Sequence, residues 1–462
     1  MTTIMTNPLE KIKKLKGRSW SEIRTRGKQT ISGYAEQIGL SGNLPTDDEI
    51  RKLVLKTEFS DGIITAETLF NKFYEKGKVN FFPSFFDLEK TAKAFRENFD
   101  KKTADIFIKK AARISDGKID LLGYKNLEIG ESVDWHYEPV SDTQSPLKHW
   151  KQFDELDASE TGDKKIIWEL NRHQHFFTLG IAYSVTKDEK FAATFARHLS
   201  SWMDQNPPGM GVNWSSSLEV SFRAISWIWA FHFFKDSLSF TPGVYQKALK
   251  YLFIHGKHLE QYLSTYYSPN THLTGEALGL YYLGTQLSFL ECASDWRSQG
   301  KKILIEEIDR QVLPDGVYFE QSTWYQRYTA DFYLQFLLLA RLSGEDLESN
   351  LRERLSEKTQ SLLEFLAYST RPDGTTPIIG DDDGGRALPQ TNDQTDDFSG
   401  TLAAGAVMFY REDLKFVAAK PSQEVLWLFG AEGLTIFESL NESAPEERSK
   451  GFAKGGYFIM RD

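Results

Sequence analysis

The chain has 462 residues, of which 40% are hydrophobic and 14% aromatic, so it exceeds one typical domain and can bury a large core. Its formal net charge of −10 argues against a nucleic-acid partner, because neutralising phosphates requires a basic surface. The single cysteine, Cys292, excludes an internal disulfide, and no apolar run of about eighteen residues is present to indicate a membrane span, so we expect no membrane partner.

The first part of the chain, residues 1–160, is a charged mixture of helical patterns and loops. The helical patterns lie near 8–38, 46–57, 65–76 and 86–114. A Gly-rich stretch at 115–132 interrupts them, and 131–165 has little periodicity, which predicts a long loop wrapped around the next domain. The first thirty residues hold no apolar leader, from which we expect a cytoplasmic location.

From about residue 166 to 370 the apolar residues recur at helical spacing. Helices are predicted near 166–184, 188–205, 215–235, 243–267, 273–291, 296–311, 323–343 and 350–370. Short turns alternate with longer loops at 206–214, 266–272, 312–322 and 371–390. Stacked helical hairpins of this kind form an open solenoid or a closed ring. The helix that begins near Leu218 is apolar nearly all round, which favours the inner layer of an (α/α) toroid whose site lies among the long loops.

After residue 390 the helical pattern weakens. Helices are predicted at 399–411 and 422–429, and strands at 433–437 and 455–461. The predicted fold class is therefore mainly α, with an (α/α) toroid of helical hairpins at 161–450 and the N-terminal extension at 1–160 packed on it. Residues 451–462 are predicted to be the first strand of a second domain, or one edge strand packed on the ring.

Several passages of the chain carry a family resemblance. They are Trp168-Glu-Leu-Asn-Arg172, Asn213-Trp214 with Glu219 and Arg223, Ser268-Pro-Asn270-Thr-His272-Leu-Thr-Gly-Glu276, Asp315-Gly316 through Glu320 to Tyr325, and Gly380-Asp381-Asp-Asp-Gly-Gly-Arg386. Together they resemble the heparinase II/III family of polysaccharide lyases, in its N-terminal toroid. The resemblance implies a toroid followed by an antiparallel β-sandwich, and β-elimination of a uronic-acid polysaccharide.

The chain departs from the family pattern in two places. Family members often carry a second histidine in a His-Gly-His-Ala-Asp segment of the sandwich, whereas the last histidine here is His272. Thr271 stands where relatives often have a second Asn. We therefore expect 451–462 to be the first strand of a truncated β-sandwich, and the partners to be an acidic polysaccharide or oligosaccharide and that missing domain.

β-Elimination at a uronic acid needs a group that neutralises the carboxylate, a base for the C5 proton and an acid for the leaving oxygen. Asn270 fits the neutraliser, since an amide donates hydrogen bonds without losing a proton, although its sequence context equally suits a helix N-cap. His272 could share that role when protonated, act as the base, or be a loop histidine bonded to the backbone.

Tyr325 fits the acid or the base of this reaction. Lowering its pKa from near 10 to about 7 requires roughly 4 kcal/mol of phenolate stabilisation. Arg327, Arg223 and Arg172 are the candidate cations. The predicted catalytic set is therefore Asn270, His272 and Tyr325.

Six further residues, which are aromatic, cationic or acidic and lie on or beside the long loops, are predicted to bind substrate: Trp214, Arg223, Glu276, Glu320, Trp324 and Arg386. Glu276 and Glu320 are expected to orient side chains or cap helices rather than react. The Asp381–Asp383 loop suits calcium, a mouth loop that contacts substrate through Arg386, or a structural loop. Glu169 and His173 share a helix face, which a buried polar network explains better than a metal. No metal or cofactor is expected.

Two other functions compete with a lyase. One is a glycan-binding or scaffold remnant of a lyase that no longer turns over. The other is a toroid glycoside hydrolase that uses paired acids of the Asp381–Asp383 loop.

Overall fold

The computed structural model describes residues 17–59, 63–75, 81–154, 157–382, 386–387 and 395–461. Its helices are α1 Trp20–Gln37, α2 Asp47–Lys52, α3 Ala66–Phe73, α4 Leu88–Asn98, α5 Lys101–Ser115, α6 Lys164–Asn171, α7 His175–Thr186, α8 Glu189–Gln205, α9 Ser217–Phe234, α10 Pro242–Tyr262, α11 Thr271–Gln286, α12 Ala293–Gln311, α13 Thr323–Leu342, α14 Ser349–Ser369, α15 Ser399–Phe409, α16 Glu412–Ala418 and α17 Gln423–Ser439. Its strands pair in three antiparallel ribbons: β1 Lys118–Leu121 with β2 Tyr124–Glu128, β3 Tyr137–Glu138 with β4 Thr143–Gln144, and β5 Lys450–Phe452 with β6 Tyr457–Ile459.

The helices form a closed double ring. Inner helices α7, α9, α11, α13, α15 and α17 each contact the next one, α17 contacts α4, and α4 contacts α7. Outer helices α8, α10, α12, α14 and α16 each pack against the inner helix that precedes them. The predicted mainly α fold, an (α/α) toroid of helical hairpins, is confirmed.

The residues of the inner helices explain their position. Helix α9 buries the consecutive residues Trp227, Ile228, Trp229 and Ala230, which point in different directions around the helix. Such a helix has no face to offer water and must be covered on several sides. Outer helix α8 instead buries one side only, through residues such as Phe195 and Trp202.

Small residues set the closest approach between layers. A Cβ atom on Gly300 of α12 would lie 2.5 Å from the carbonyl oxygen of Ala277 on α11, and one on Gly284 would lie 2.3 Å from the backbone nitrogen of Arg297. Glycine is therefore required where α11 and α12 cross.

Two predicted helices are each broken in two. The predicted helix 86–114 ends at Asn98 and restarts at Lys101, because the Asp100 side chain accepts from the backbone N–H of Thr103 as an N-cap. The predicted helix 166–184 breaks after Asn171, where His173 has a φ of +58°. Apolar periodicity runs through both breaks, so only the local capping and backbone chemistry reveals them.

Three further predictions, of a loop, a helix and a strand, also change. The Gly-rich stretch 115–132 holds the β1–β2 hairpin, and the predicted helix 8–38 is described only from residue 17 on, with its helix beginning at Trp20. The predicted strand 433–437 is wrong: it lies within α17, where Leu434 and Phe437, three residues apart, share a buried helical face.

The predicted strand 455–461 contains β6, whose partner β5 was not predicted. Phe452 of this hairpin packs on Phe365 and Tyr368 of α14, so the hairpin sits against the ring. In the part of the chain that the structure describes, no helix has the length and apolar character needed to cross a membrane.

Candidate active site

A cavity of about 300 Å³ opens where the inner helices α9, α11 and α13 begin. Most of its lining residues are of polar or charged types: Lys165, Trp168, Glu169, Arg172, Leu218, Glu219, Asn270, Thr271, His272, Glu320, Tyr325, Tyr328 and Asp381. All three predicted catalytic residues, Asn270, His272 and Tyr325, line this one cavity. Three helix N-termini also meet here, and their partial positive charges favour an anionic ligand.

Asn270 is the N-cap of α11, and its amide orientation is fixed from two sides. Its Oδ1 accepts from the backbone N–H of His272 at 3.1 Å, and its Nδ2 donates to Oε1 of Glu320 at 2.8 Å. An amide nitrogen carries two hydrogens. The second one has no acceptor among the described residues, so Asn270 can cap the helix and still donate to a ligand.

Glu320 holds this arrangement together. Its Oε2 accepts from the hydroxyl of Thr271 and, at 3.4 Å, from the Thr271 backbone N–H. The Thr271 hydroxyl also lies 3.0 Å from the phenol oxygen of Tyr318. Glu320 lines the cavity, and its polar contacts are with the start of α11.

Tyr325 lies in the first turn of α13. Its backbone N–H donates to the N-cap hydroxyl of Ser322 at 3.1 Å, and that hydroxyl donates to the carbonyl oxygen of Asp381 at 2.7 Å. The late acidic loop is thereby tied to the helix that carries the phenol. Of the loop's three acids, Asp381 lines the cavity, whereas Asp383 lies outside the described residues.

Another part of the lining is a buried ionic network centred on Arg172. Its Nε and Nη2 donate to the two carboxylate oxygens of Glu219 at 2.6 and 2.8 Å, and its Nη1 donates to Glu169 at 2.7 Å. Burial raises the pKa of Glu169, and the Arg172 guanidinium opposes that rise. This network joins α6 to α9, as predicted for the Trp168–His175 segment.

The metal alternative at this segment is not supported by geometry. His173 turns away from Glu169 and accepts from the indole N–H of Trp227 at 2.7 Å, while His175 lies 3.2 Å from His198. Across the described ranges, no group of three or more His, Cys, Asp or Glu side chains is placed to hold a metal ion.

Tyr328 is a cavity residue that the motif analysis missed. It is almost fully buried, its phenol oxygen has no hydrogen-bond partner among the described residues, and burial raises its pKa well above 10. It stands three residues after Tyr325 and so shares its helix face. That spacing is the sequence signal that could have identified it. Lys165 and Trp168 were also not predicted as lining residues.

Three predicted substrate-binding residues are fully buried in structural roles: Trp214, Arg223 and Trp324. Arg223 lies over the rings of Trp202 and Trp214, at 4.4 and 5.5 Å, and donates to the carbonyl oxygen of Asn213. Burial lowers its pKa to about 9. With no surface exposed, these side chains cannot touch a glycan in this conformation.

The remaining two predicted contacts lie outside the cavity lining. Glu276 is fully buried and accepts from the backbone N–H and the hydroxyl of Ser264 at 2.7 and 2.6 Å, and burial raises its pKa to about 8. The Arg386 guanidinium lies 5.7 Å from the Trp324 ring, and its carbonyl oxygen accepts from Gln174. Of the cations considered for Tyr325, only Arg172 lines the same cavity.

The toroid is a fold that this chain shares with solved heparinase structures. A structure of heparinase III matches with a TM-score of 0.59 at 19% identity, covering 89% of this chain and 57% of that one. A structure of heparan sulfate lyase from Pedobacter heparinus matches with a TM-score of 0.54 at 22% identity, covering 91% and 57%. At these identities the likeness shows the fold alone.

Sequence comparison then gives the family. The model described as Heparinase II/III N-terminus matches residues 45–398, so the chain belongs to the heparinase II/III family. The resemblance inferred from the motifs is confirmed. A heparin-sulfate lyase from Bacteroides stercoris is 26% identical over 401 residues, covering 80% of this chain and 52% of that protein. One from Pedobacter heparinus is 26% identical over 342 residues, covering 72% and 46%. The chain thus spans about half the length of these curated relatives.

Proposed function

We propose that this chain supplies the toroid of a polysaccharide lyase that cleaves a uronic-acid-containing acidic polysaccharide by β-elimination. The observation that carries the proposal is that Asn270, His272 and Tyr325 all line one cavity. Membership of the heparinase II/III family and the lyase names of its relatives support the same reaction class.

The first requirement of the reaction is to stabilise the carboxylate as the C5 proton leaves. The Asn270 Nδ2 hydrogen that Glu320 does not use can donate to a carboxylate oxygen, and it needs no reorientation because both other amide contacts are already made. The N-termini of α9, α11 and α13 add positive potential at the same place. A local field of this kind lets a chain of net charge −10 accept an anionic sugar.

The second requirement is a proton acceptor for C5 and a proton donor for the C4 oxygen. His272 of α11 and Tyr325 and Tyr328 of α13 are the ionisable side chains that these two helices place on the cavity. Tyr328 is almost fully buried and its pKa is raised well above 10, so His272 and Tyr325 are the candidates. We assign Tyr325 to the leaving oxygen and leave the base as either His272 or the Tyr325 phenolate. Both residues sit in the first turn of their helices.

The test is the formation of unsaturated uronate, followed by ultraviolet absorbance, when the protein is mixed with heparan sulfate, alginate or hyaluronan. We expect a product with at least one of these glycans. We expect Tyr325→Phe to abolish it and Tyr410→Phe to leave it unchanged, because Tyr410 is 66% exposed at the end of α15 and lies away from the cavity.

Three results would count against the proposal. One is a folded protein that yields no unsaturated product from any of the three glycans. Another is glycan binding that survives Tyr325→Phe with no turnover in either protein, which would indicate a binding remnant. The third is a hydrolytic product lost in Asp381→Asn and retained in Tyr325→Phe, which would indicate a glycosidase.

A further inference from the structure

Helix α1 is amphipathic, but unlike an ordinary surface helix it turns its polar side toward the toroid and its apolar side outward. One stripe of the helix, at spacings of three and four residues, consists of Glu22, Arg26, Gln29, Gly33 and Glu36. These positions fall on one side of a helix of 3.6 residues per turn. This polar or small stripe faces the toroid.

Polar contacts hold that inner stripe. Arg26 donates to the carbonyl oxygen of Tyr266 at 2.6 Å and Gln29 to that of Leu263 at 3.1 Å. Glu36 accepts from the phenol of Tyr262 at 2.7 Å and from the indole N–H of Trp150 at 3.3 Å. Helix α1 is therefore attached along the segment that leads into the cavity, mostly without apolar burial.

The outer stripe carries the large apolar residues. Trp20, Ile31, Tyr34 and Ile38 are 79%, 72%, 64% and 70% exposed. Counted from Trp20 at 100° per residue, the other three lie within about 40° of it. Ile31, Tyr34 and Ile38 follow one another at spacings of three and four residues, and Trp20 lies at the other end of the same side. A surface helix normally buries such residues, and their exposure indicates a contact surface.

The charges on α1 identify the kind of partner. Arg24 and Lys28 flank the apolar stripe and are exposed. Both glutamates of α1, Glu22 and Glu36, belong to the inner stripe. The outward half of α1 thus combines Trp, Tyr and Ile with basic charge and has no carboxylate, in a chain whose net charge is −10.

We propose that the outer face of α1 binds an anionic phospholipid surface, with the helix lying parallel to the bilayer plane. Trp20 and Tyr34 suit the headgroup boundary, Ile31 and Ile38 the acyl region just below it, and Arg24 and Lys28 the lipid phosphates. An acidic glycan would satisfy the charges and the aromatic rings but would have no use for the two isoleucines. The expectation of no membrane partner rested on the absence of a spanning run, which a surface-lying helix does not need.

The test is co-sedimentation of the full chain with phosphatidylcholine vesicles and with phosphatidylcholine–phosphatidylglycerol vesicles. We expect binding to the anionic vesicles only, and weaker binding at higher salt. Ile31→Ser with Ile38→Ser should lower the partition coefficient at least about tenfold. Arg24→Gln and Lys28→Gln should each lower it about fivefold.

Leu238→Ser is the matched control, because Leu238 is 87% exposed at the turn between α9 and α10 and does not belong to this face. It should leave binding unchanged. Failure to bind anionic vesicles, or equal losses in Leu238→Ser and the isoleucine variant, would overturn the proposal. The proposal would also be overturned if the wild-type chain were a dimer and the isoleucine variant a monomer. Binding to hyaluronan that depends on the apolar stripe, without binding to vesicles, would overturn it as well. None of these measurements depends on lyase activity.

Discussion

Glu276 gives the sharpest physical prediction, because its carboxyl group is fully buried in α11 and makes its described contacts with Ser264 alone. Burial raises its pKa from 4.5 to about 8. The folded protein therefore holds a proton on Glu276 at pH values where the unfolded chain has released it. Between about pH 4.5 and about pH 8, unfolding releases one proton, so stability falls by roughly 1.4 kcal/mol per pH unit from this group.

The stabilisation that comes from the raised pKa of Glu276 is fully present below pH 4.5 and amounts to roughly 5 kcal/mol in the free energy of unfolding. This stabilisation is lost as the pH rises through about 8. Glu276→Gln removes the titration but keeps the shape and an acceptor for the Ser264 N–H. The free energy of unfolding of the variant relative to wild type should thus rise by roughly 3 kcal/mol between about pH 5.5 and about pH 8.

Chemical denaturation at a series of pH values measures this difference. Glu128→Gln is the control, since the Glu128 side chain is 77% exposed and loses little hydration on folding. Parallel stability–pH curves for wild type and Glu276→Gln would refute the reasoning, because they would show that Glu276 is ionised in the folded state.

Three other substitutions test separate parts of the structure. Asn270→Ser keeps a good N-cap, so the free energy of unfolding should change by less than about 1 kcal/mol. Product formation should fall at least about a hundredfold, because the amide donor is lost. Equal losses of stability and activity would contradict a role in binding the carboxylate. Arg172→Met leaves the carboxylates of Glu219 and Glu169, whose side chains are 4% and 15% exposed, without their cation and should cost about 3–5 kcal/mol in denaturation. The control Arg354→Met should cost less than about 1 kcal/mol, because Arg354 and its partner Asp309 are 49% and 39% exposed; similar costs would argue that the network is solvated. Gly316→Ala places a Cβ atom 2.2 Å from a carbonyl oxygen at a φ of +85° and should lower the free energy of unfolding by about 2–5 kcal/mol. Gly374→Ala, at a φ of +87°, meets no atom within 4 Å and should lower it by about 1–2 kcal/mol. Equal melting temperatures would show that the loop shifts to make room.

The ring was predictable because its helices repeat one simple pattern. Apolar periodicity placed the helices of the hairpins, and the all-round apolar character of α9 placed it in the inner layer. The break at His173 and the helical state of 433–437 were not predictable from periodicity, because the first depends on one residue with positive φ and the second on packing against the ring. Tertiary burial decided the second case over the local strand pattern.

The cavity was predictable in part. Asn270, His272 and Tyr325 stand just after long loops, at the starts of α11 and α13, and helix starts at one end of a toroid necessarily converge. Trp214 and Arg223 also stand near a helix start, yet both are buried, because Arg223 stacks on Trp202 and Trp214 instead of facing the opening. Position in the sequence fixes which end of the ring a residue occupies. Its side-chain direction depends on neighbours far along the chain.

Asn270 shows why a capping role and a chemical role are not alternatives. A helix N-cap needs an oxygen acceptor, which Ser, Thr, Asp and Asn all provide. Only Asn adds an N–H₂ group to that acceptor, and here one of its hydrogens binds Glu320. Asp at this position would cap equally well but would face Glu320 with a like charge and offer the substrate carboxylate no donor. The hydrogen bond to Glu320 already favours Asn over the other good caps. Under the proposed function the second amide hydrogen would serve an anionic ligand as well, and the cap supplies the rigidity that such a donor needs.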